Sequence, residues 1–340
     1  MNGTPMNERN RTKIFRILMC IIALLALICA FTYMVRSIII SENNTKKFLA
    51  EAFLAFAPGQ SMTTDATKDS QDKPTGTDED PDVTDSSNAG KTEKVEIVSA
   101  DLSETEATIK NYTLSDADVS RLPGYEFPFS CDPVAPTVLI IHSHPDECYS
   151  SDGATQVDRN FPFTSEEKDE NIFAVGKKIS EVLSAAGIIT IHAQERIDEN
   201  TVGSSAQDVI DKYLAKYPTI RFVLDVHRDG VYTQDNRIVR SVGYIEGKAG
   251  AQLMFAVGSN PGGGINYTNL AAAYKLTDMI CNINPGIMRN ILLRQETLSQ
   301  QYAPCSLSLY VGTTGNSLSE AVRSAELFAK YFAMFIIGNM

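Results

Sequence analysis

The sequence predicts an α/β domain with a mostly parallel, twisted sheet flanked by helices, preceded by one transmembrane helix and a disordered linker. Three observations carry this. Short β-branched runs alternate with segments of helical period after residue 137, an uncharged apolar stretch lies near the N-terminus, and a Ser/Thr/Asp-rich tract separates the two. Hydrophobic residues make up 43% of the chain, enough for a real core. The net charge of −12, with no basic stripe in the C-terminal two-thirds, speaks against nucleic acid, whose binding leans on Lys and Arg neutralising phosphates.

Ile17–Val35 holds no charge. As an α-helix it would reach roughly 28 Å, close to the hydrocarbon thickness of a bilayer. Arg9, Arg11, Lys13 and Arg16 precede it and only Arg36 follows closely, so the positive-inside rule puts the N-terminus in the cytoplasm and the rest outside. A cleaved signal peptide is the competing reading; the run is long for one, and no clean A-x-A site follows. The chain thus divides into a basic N-terminus (1–16), an anchor (17–40), a juxtamembrane segment with an acidic linker (41–95), a lead-in (96–136) and a catalytic-type domain (137–338). Within the linker, Gln60–Glu93 has too few apolar residues to offset the entropy of ordering.

In the domain, Thr137–Ile141 (TVLII) reads as a strand buried on both faces. Asn171–Ala186 has helical period and stops at Gly187. Ile188–Ile191 is a short strand, Ala206–Tyr217 a helix closed by Pro218, and Phe222–Val226 a further buried strand. Leu253–Val257 is a strand, Thr268–Ile283 a helix, and Ile291–Leu293 and Ser306–Val311 strands. Ser317–Phe335 is the last helix, with Ser317 as N-cap and Glu320 completing a capping box. Alternation of this kind implies a largely parallel sheet covered on both sides, with sites beyond the carboxyl ends of its strands.

Four histidines occur: His142, His144, His192 and His227. His142 and His144 follow TVLII, and an extended chain would send both side chains the same way. Glu147 adds a carboxylate at that edge, and His227 stands in Asp225-Val226-His227-Arg228-Asp229 after another strand. Two histidines and a glutamate make a suitable zinc set that leaves a fourth position for water. A single histidine at a strand end is ordinarily hydrogen-bonded without metal, the reading that suits His192. Asp225 and Asp229 can orient His227. Arg228 can clasp a substrate carboxylate or pair with Asp229. Cys148 beside two histidines offers a thiol nucleophile instead, but Glu147 would raise rather than lower its pKa. The six cysteines show no C-x-x-C and no paired spacing.

Three ordered segments resemble a known family. VLIIHSHPDECY is similar to the H-T-H-x-x-E-x-Y signature of stage II sporulation protein P, RFVLDVHRDG to its D-L-H-R-D segment, and Pro304–Ala321 to its P-x-x-L-L-I-E-V-G-x-x-x-N-T-x-E-E-A pattern. The resemblance implies a fold and activity like those of N-acetylmuramoyl-L-alanine amidases: zinc-dependent release of stem peptides from peptidoglycan, with an endopeptidase activity on cross-links also attributed. It implies a role in engulfment during sporulation beside a lytic transglycosylase and a polytopic membrane protein. Carried over by motif, His142, Glu147 and His227 are the expected zinc ligands, with His144 replacing one of them or assisting the reaction. One departure from the pattern matters: the family's acid/base glutamate falls on Tyr310, a poor base at neutral pH, and the asparagine-tyrosine pair expected upstream is also altered, with Leu298-Ser299 before Gln300-Gln301. Either Glu147 or Asp146 then serves as base, or the domain is a degenerate, wall-binding or complex-forming module.

Overall fold

The computed structural model describes residues 93–339, all within one compact unit, Asp85–Met340. The expected anchor and most of the linker lie outside the described residues. Among the described residues no helix is long and apolar enough to cross a membrane.

The chain begins with β1 (Lys94–Ala100) and β2 (Ile109–Asn111), so the stretch read as a lead-in contributes two strands to the folded body. Next come β3 (Val138–Ile141), β4 (Gln156–Asp158), α1 (Ile172–Ala185), β5 (Thr190–His192), α2 (Ala206–Lys216) and β6 (Phe222–Asp229). A hairpin of β7 (Ile238–Ile245) and β8 (Lys248–Ala251) follows. The chain finishes with β9 (Leu253–Gly258), α3 (Tyr267–Ile283), β10 (Ile291–Arg294), β11 (Cys305–Thr313) and α4 (Leu318–Ile337). All four predicted helices form. Asn171 caps α1, Ser205 and Ser317 make capping boxes with Asp208 and Glu320, and each satisfies amide donors that a helix start leaves free.

The main sheet has seven strands in the order β2-β10-β9-β11-β6-β3-β5. It is mixed, which corrects the expectation of a mostly parallel sheet. β5, β3, β6 and β11 run one way and β9, β10 and β2 the other, and the two halves meet at an antiparallel seam between β11 and β9. Sequence pattern reports burial and period, and each half is internally parallel and apolar, so the reversal leaves no local trace. A second, four-stranded sheet of order β4-β1-β7-β8 was not anticipated.

The faces of the main sheet are covered unequally. Against one face α1, α3 and α4 bury the large core, in which Ile140, Leu224, Phe255 and Leu309 meet Ile179, Leu276 and Phe332. On the other, α2 covers only the β3–β6 side, burying Leu139, Ile141 and Val223 with Val209 and Ile210. Asp225 and His227 alternate with residues of the large core along β6, so their side chains project from this second face. Beyond Tyr310, β11 shifts register where Gly312 takes a φ of +70°, a conformation that glycine adopts without a Cβ penalty. The turn that follows is pinned by Asn316, which accepts from Thr313 N at 2.9 Å and donates to Ser241 O and Glu320. Glu320 in turn pairs with Arg240 of β7 and ties the small sheet to α4.

Candidate metal centre

β3 ends at Ile141, paired with Asp225 of β6. There the chain bends, because Asp225 draws in Ser143, two residues on: Oδ1 accepts from Ser143 N at 2.9 Å and Oδ2 from Ser143 Oγ at 2.7 Å. The extended geometry assumed for His142 and His144 is therefore lost. His142 continues the alternation of β3 and turns toward α1, while His144 lies past the bend on the face that carries His227.

His144, Glu147 and His227 come together, with one donor atom from each lying within 4.8 Å of the others. His144 Nδ1 stands 3.3 Å from His227 Nδ1, and Glu147 Oε2 stands 3.5 Å from the same nitrogen. Bonds of about 2.0–2.1 Å in a tetrahedron place ligand atoms about 3.3–3.4 Å apart, close to these two separations, so the group could hold a metal ion. His227 Nε2 faces Asp225 Oδ2 at 2.9 Å, the carboxylate–histidine arrangement that orients a ligating imidazole and leaves its other nitrogen for metal. Glu147 is steadied by Arg228 N, which donates to Oε2 at 3.0 Å.

Electrostatics agree with this donor set. Burial opposes a charge on His227, but Asp225 and Glu147 outweigh it and push its pKa up to about 10, so the position attracts positive charge. Burial likewise opposes charge on Asp225, yet His227 and the Ser143 hydrogen bonds hold it down at about 2. Beside the group opens a cleft of about 610 Å³, reaching from Ser143 and His144 to Thr164 and Arg196. Asp146 at its edge pairs with the Arg196 guanidinium.

The remaining candidates fall as follows. His142, expected as a ligand, is buried away from the group. Its Nδ1 lies 3.1 Å from Val226 O and its Nε2 lies 2.8 Å from His192 Nε2. Burial lowers both rings, to about 3 and about 4. His192 thus pairs with His142 and lies outside the His144–Glu147–His227 group. The Arg228 guanidinium meets neither Asp229 nor the cleft; it donates to Cys148 O at 2.7 Å and Phe163 O at 2.9 Å and so clamps the Glu147 strap onto β6. Asp229 pairs instead with Arg289, 2.9 Å away. Burial raises the Cys148 thiol above its ordinary range, away from a nucleophilic thiolate. Tyr310 lies level with His227 on the neighbouring strand, and its ring stacks on the imidazole at 5.2 Å. Burial, with Asp225 and Glu147 nearby, pushes its pKa up to about 12. Sequence reasoning passed over Ser143, whose only signal is its place between two histidines.

The family model for stage II sporulation protein P matches residues 31–333. The chain belongs to that family. Stage II sporulation protein P is an amidase-like family, in keeping with the hydrolase class that the motifs imply. No curated protein matches the sequence. Among solved structures, the chain is similar to the N-acetylmuramyl-L-alanine amidase Ami1 from Mycobacterium smegmatis, at 12% identity over 60% of this chain and 99% of that one, TM-score 0.35. It is also similar to the amidase AmiC2 of Nostoc punctiforme, at 11% identity over 61% and 97%, TM-score 0.38. The CwlD amidase from Clostridioides difficile, solved in complex with the GerS lipoprotein, gives 10% identity over 59% and 94%, TM-score 0.34. These overlays are loose, and membership of the family rests on the match over residues 31–333.

Proposed function

We propose that this protein is a membrane-anchored, zinc-dependent peptidoglycan hydrolase that cleaves the amide between N-acetylmuramic acid and the stem peptide, in septal wall remodelling and engulfment during sporulation. The convergence of His144, Glu147 and His227 beside an open cleft is the observation that carries the reading. Zinc bound there would polarise the scissile carbonyl and activate water. Around it, Asp225 fixes the His227 ring, Ser143 fixes Asp225, and the Arg228 backbone fixes Glu147. The basic flank and uncharged run at 17–35 support the anchor and an extracytoplasmic domain. A lytic transglycosylase and a polytopic membrane protein of the engulfment machinery are the partners that the family implies.

Tyr310 favours a second reading, a wall-binding module without hydrolysis. A phenol held near pKa 12 cannot take a proton from water at neutral pH, and Asp146 is committed to Arg196. The full chain in detergent micelles, incubated with purified sacculi, separates the two. Release of stem peptides that stops with a chelator and returns with zinc is expected of the hydrolase. Stoichiometric zinc without release would leave the binding module, and Tyr310→Glu gaining activity would then locate the defect.

A further inference from the structure

Behind the metal group, where α1 crosses the end of β3, His142 and His192 meet Nε2 to Nε2 at 2.8 Å. Two N–H groups cannot donate to each other, so one proton serves this contact. The partner of His142 Nδ1 is the Val226 carbonyl, 3.1 Å away, which can only accept. Nδ1 therefore carries the one proton of a neutral His142 ring, its Nε2 is the acceptor, and His192 Nε2 is the donor. The ladder between β3 and β6 ends at Ile141 and Asp225, and the imidazole takes over the next carbonyl where backbone pairing stops. That carbonyl belongs to the peptide unit whose nitrogen is His227.

We infer that His142 and His192 are a hydrogen-bonded pair that fixes the Val226–His227 peptide and thereby sets His227 as a metal donor. This makes His142 a positioning residue, not a ligand, and it rests on the metal-dependent reading above. The surroundings are built for two rings in contact. Gly176, in the interior of α1, sits where a Cβ would come within 2.5 Å of His142 Nε2 and 2.8 Å of His192 Nε2. Glycine is a poor helix former, and here the close approach of the rings accounts for it. Phe173 closes the pocket, its ring 4.6 Å from His142 and 5.8 Å from His192.

The chain has four histidines, so ring-¹⁵N labelling of the full chain, purified on a tag free of histidine, gives eight resonances. In the metal-free protein His142 should carry its proton on Nδ1 and His192 on Nε2. Zinc affinity, read by competition with a chromogenic chelator, should fall about tenfold or more in His142→Leu and His192→Leu. His142→Asn, which keeps a donor near the Nδ1 position, and His192→Gln, which keeps one near Nε2, should recover most of it. Should the leucine variants fail to fold, the tautomers and the amide variants decide. His142 protonated on Nε2, leucine variants that bind zinc as tightly as the parent, or loss of zinc in His142→Asn as complete as in His144→Ala would each overturn the inference. A parent chain that binds no zinc would overturn the metal reading and the positioning role with it, while the tautomers would still report whether the pair exists.

Discussion

Asp225→Asn is the most direct test of how the metal group is held. Asp225 is 8% exposed and accepts three hydrogen bonds, from Ser143 N, Ser143 Oγ and His227 Nε2. An amide of the same shape has one accepting oxygen. Turned one way, its NH₂ meets Ser143 N–H; turned the other, it meets His227 Nε2–H of the tautomer that leaves Nδ1 for metal, so in that tautomer a buried donor is orphaned in either case. Such a donor costs about 1–3 kcal/mol, to be read as a lower urea midpoint of the metal-free protein. Separately, the His227 ring loses the anion that orients it and raises its basicity. Loss of an outer partner of this kind weakens metal binding about 10–100-fold, equivalent to about 1.4–2.7 kcal/mol. At saturating zinc, the extra stability conferred by metal should shrink by that same amount. Chelator competition and urea titrations with and without zinc measure both quantities. A variant whose zinc affinity equals that of the parent would refute the claim that Asp225 orients a ligating His227.

Two further outcomes follow from the geometry. Arg228→Met removes two charged hydrogen bonds to carbonyls of the Glu147 strap and should cost about 2 kcal/mol or more in urea, with KM for wall fragments no worse than the lost stability explains; a large rise in KM at unchanged stability would return Arg228 to substrate binding. Glu320 is buried, which alone would raise its pKa, but Arg240 and Asn316 outweigh burial and hold it below the ordinary 4.5. A depressed folded pKa gives stability that is present above 4.5 and lost as pH falls through the lower folded value. Thermal melts of Glu320→Gln should therefore lie below the parent at pH 7 and converge on it in acid; parallel curves down to pH 3 would exclude the effect.

The sequence made the elements with a strong period or a cap legible: the TVLII strand, the four helices and the Ser317 capping box all stand where pattern placed them. β6 runs on to Asp229, so His227 sits inside the strand, because alternating His227 and Asp229 look polar to a reading that sought continuous apolar residues. The β7–β8 hairpin escaped for a packing reason. Gly243 and Gly250 weaken its strand signal, yet a Cβ at Gly243 would fall 2.3 Å from Gly286 O, so glycine is what close contact requires there. In the site, Glu147 and His227 were legible as candidate donors from residue type and strand ends. The choice between His142 and His144 was not, since it turns on a bend enforced by Asp225, which lies 82 residues from Ser143 in the chain.

The seam has a consequence for how the protein is made. β11 lies at the middle of the main sheet, yet it comes after every other strand of the described residues in the chain. All three candidate metal donors precede it in the chain, and β6, which carries His227, has β11 as one of its two neighbours. Until residues 305–313 emerge, β9, β10 and β2 have no hydrogen-bonded partner in the half that holds the donors. A chain cut short before Cys305 would thus carry all three candidate donors but lack the strand that joins the two halves and that flanks the strand bearing His227.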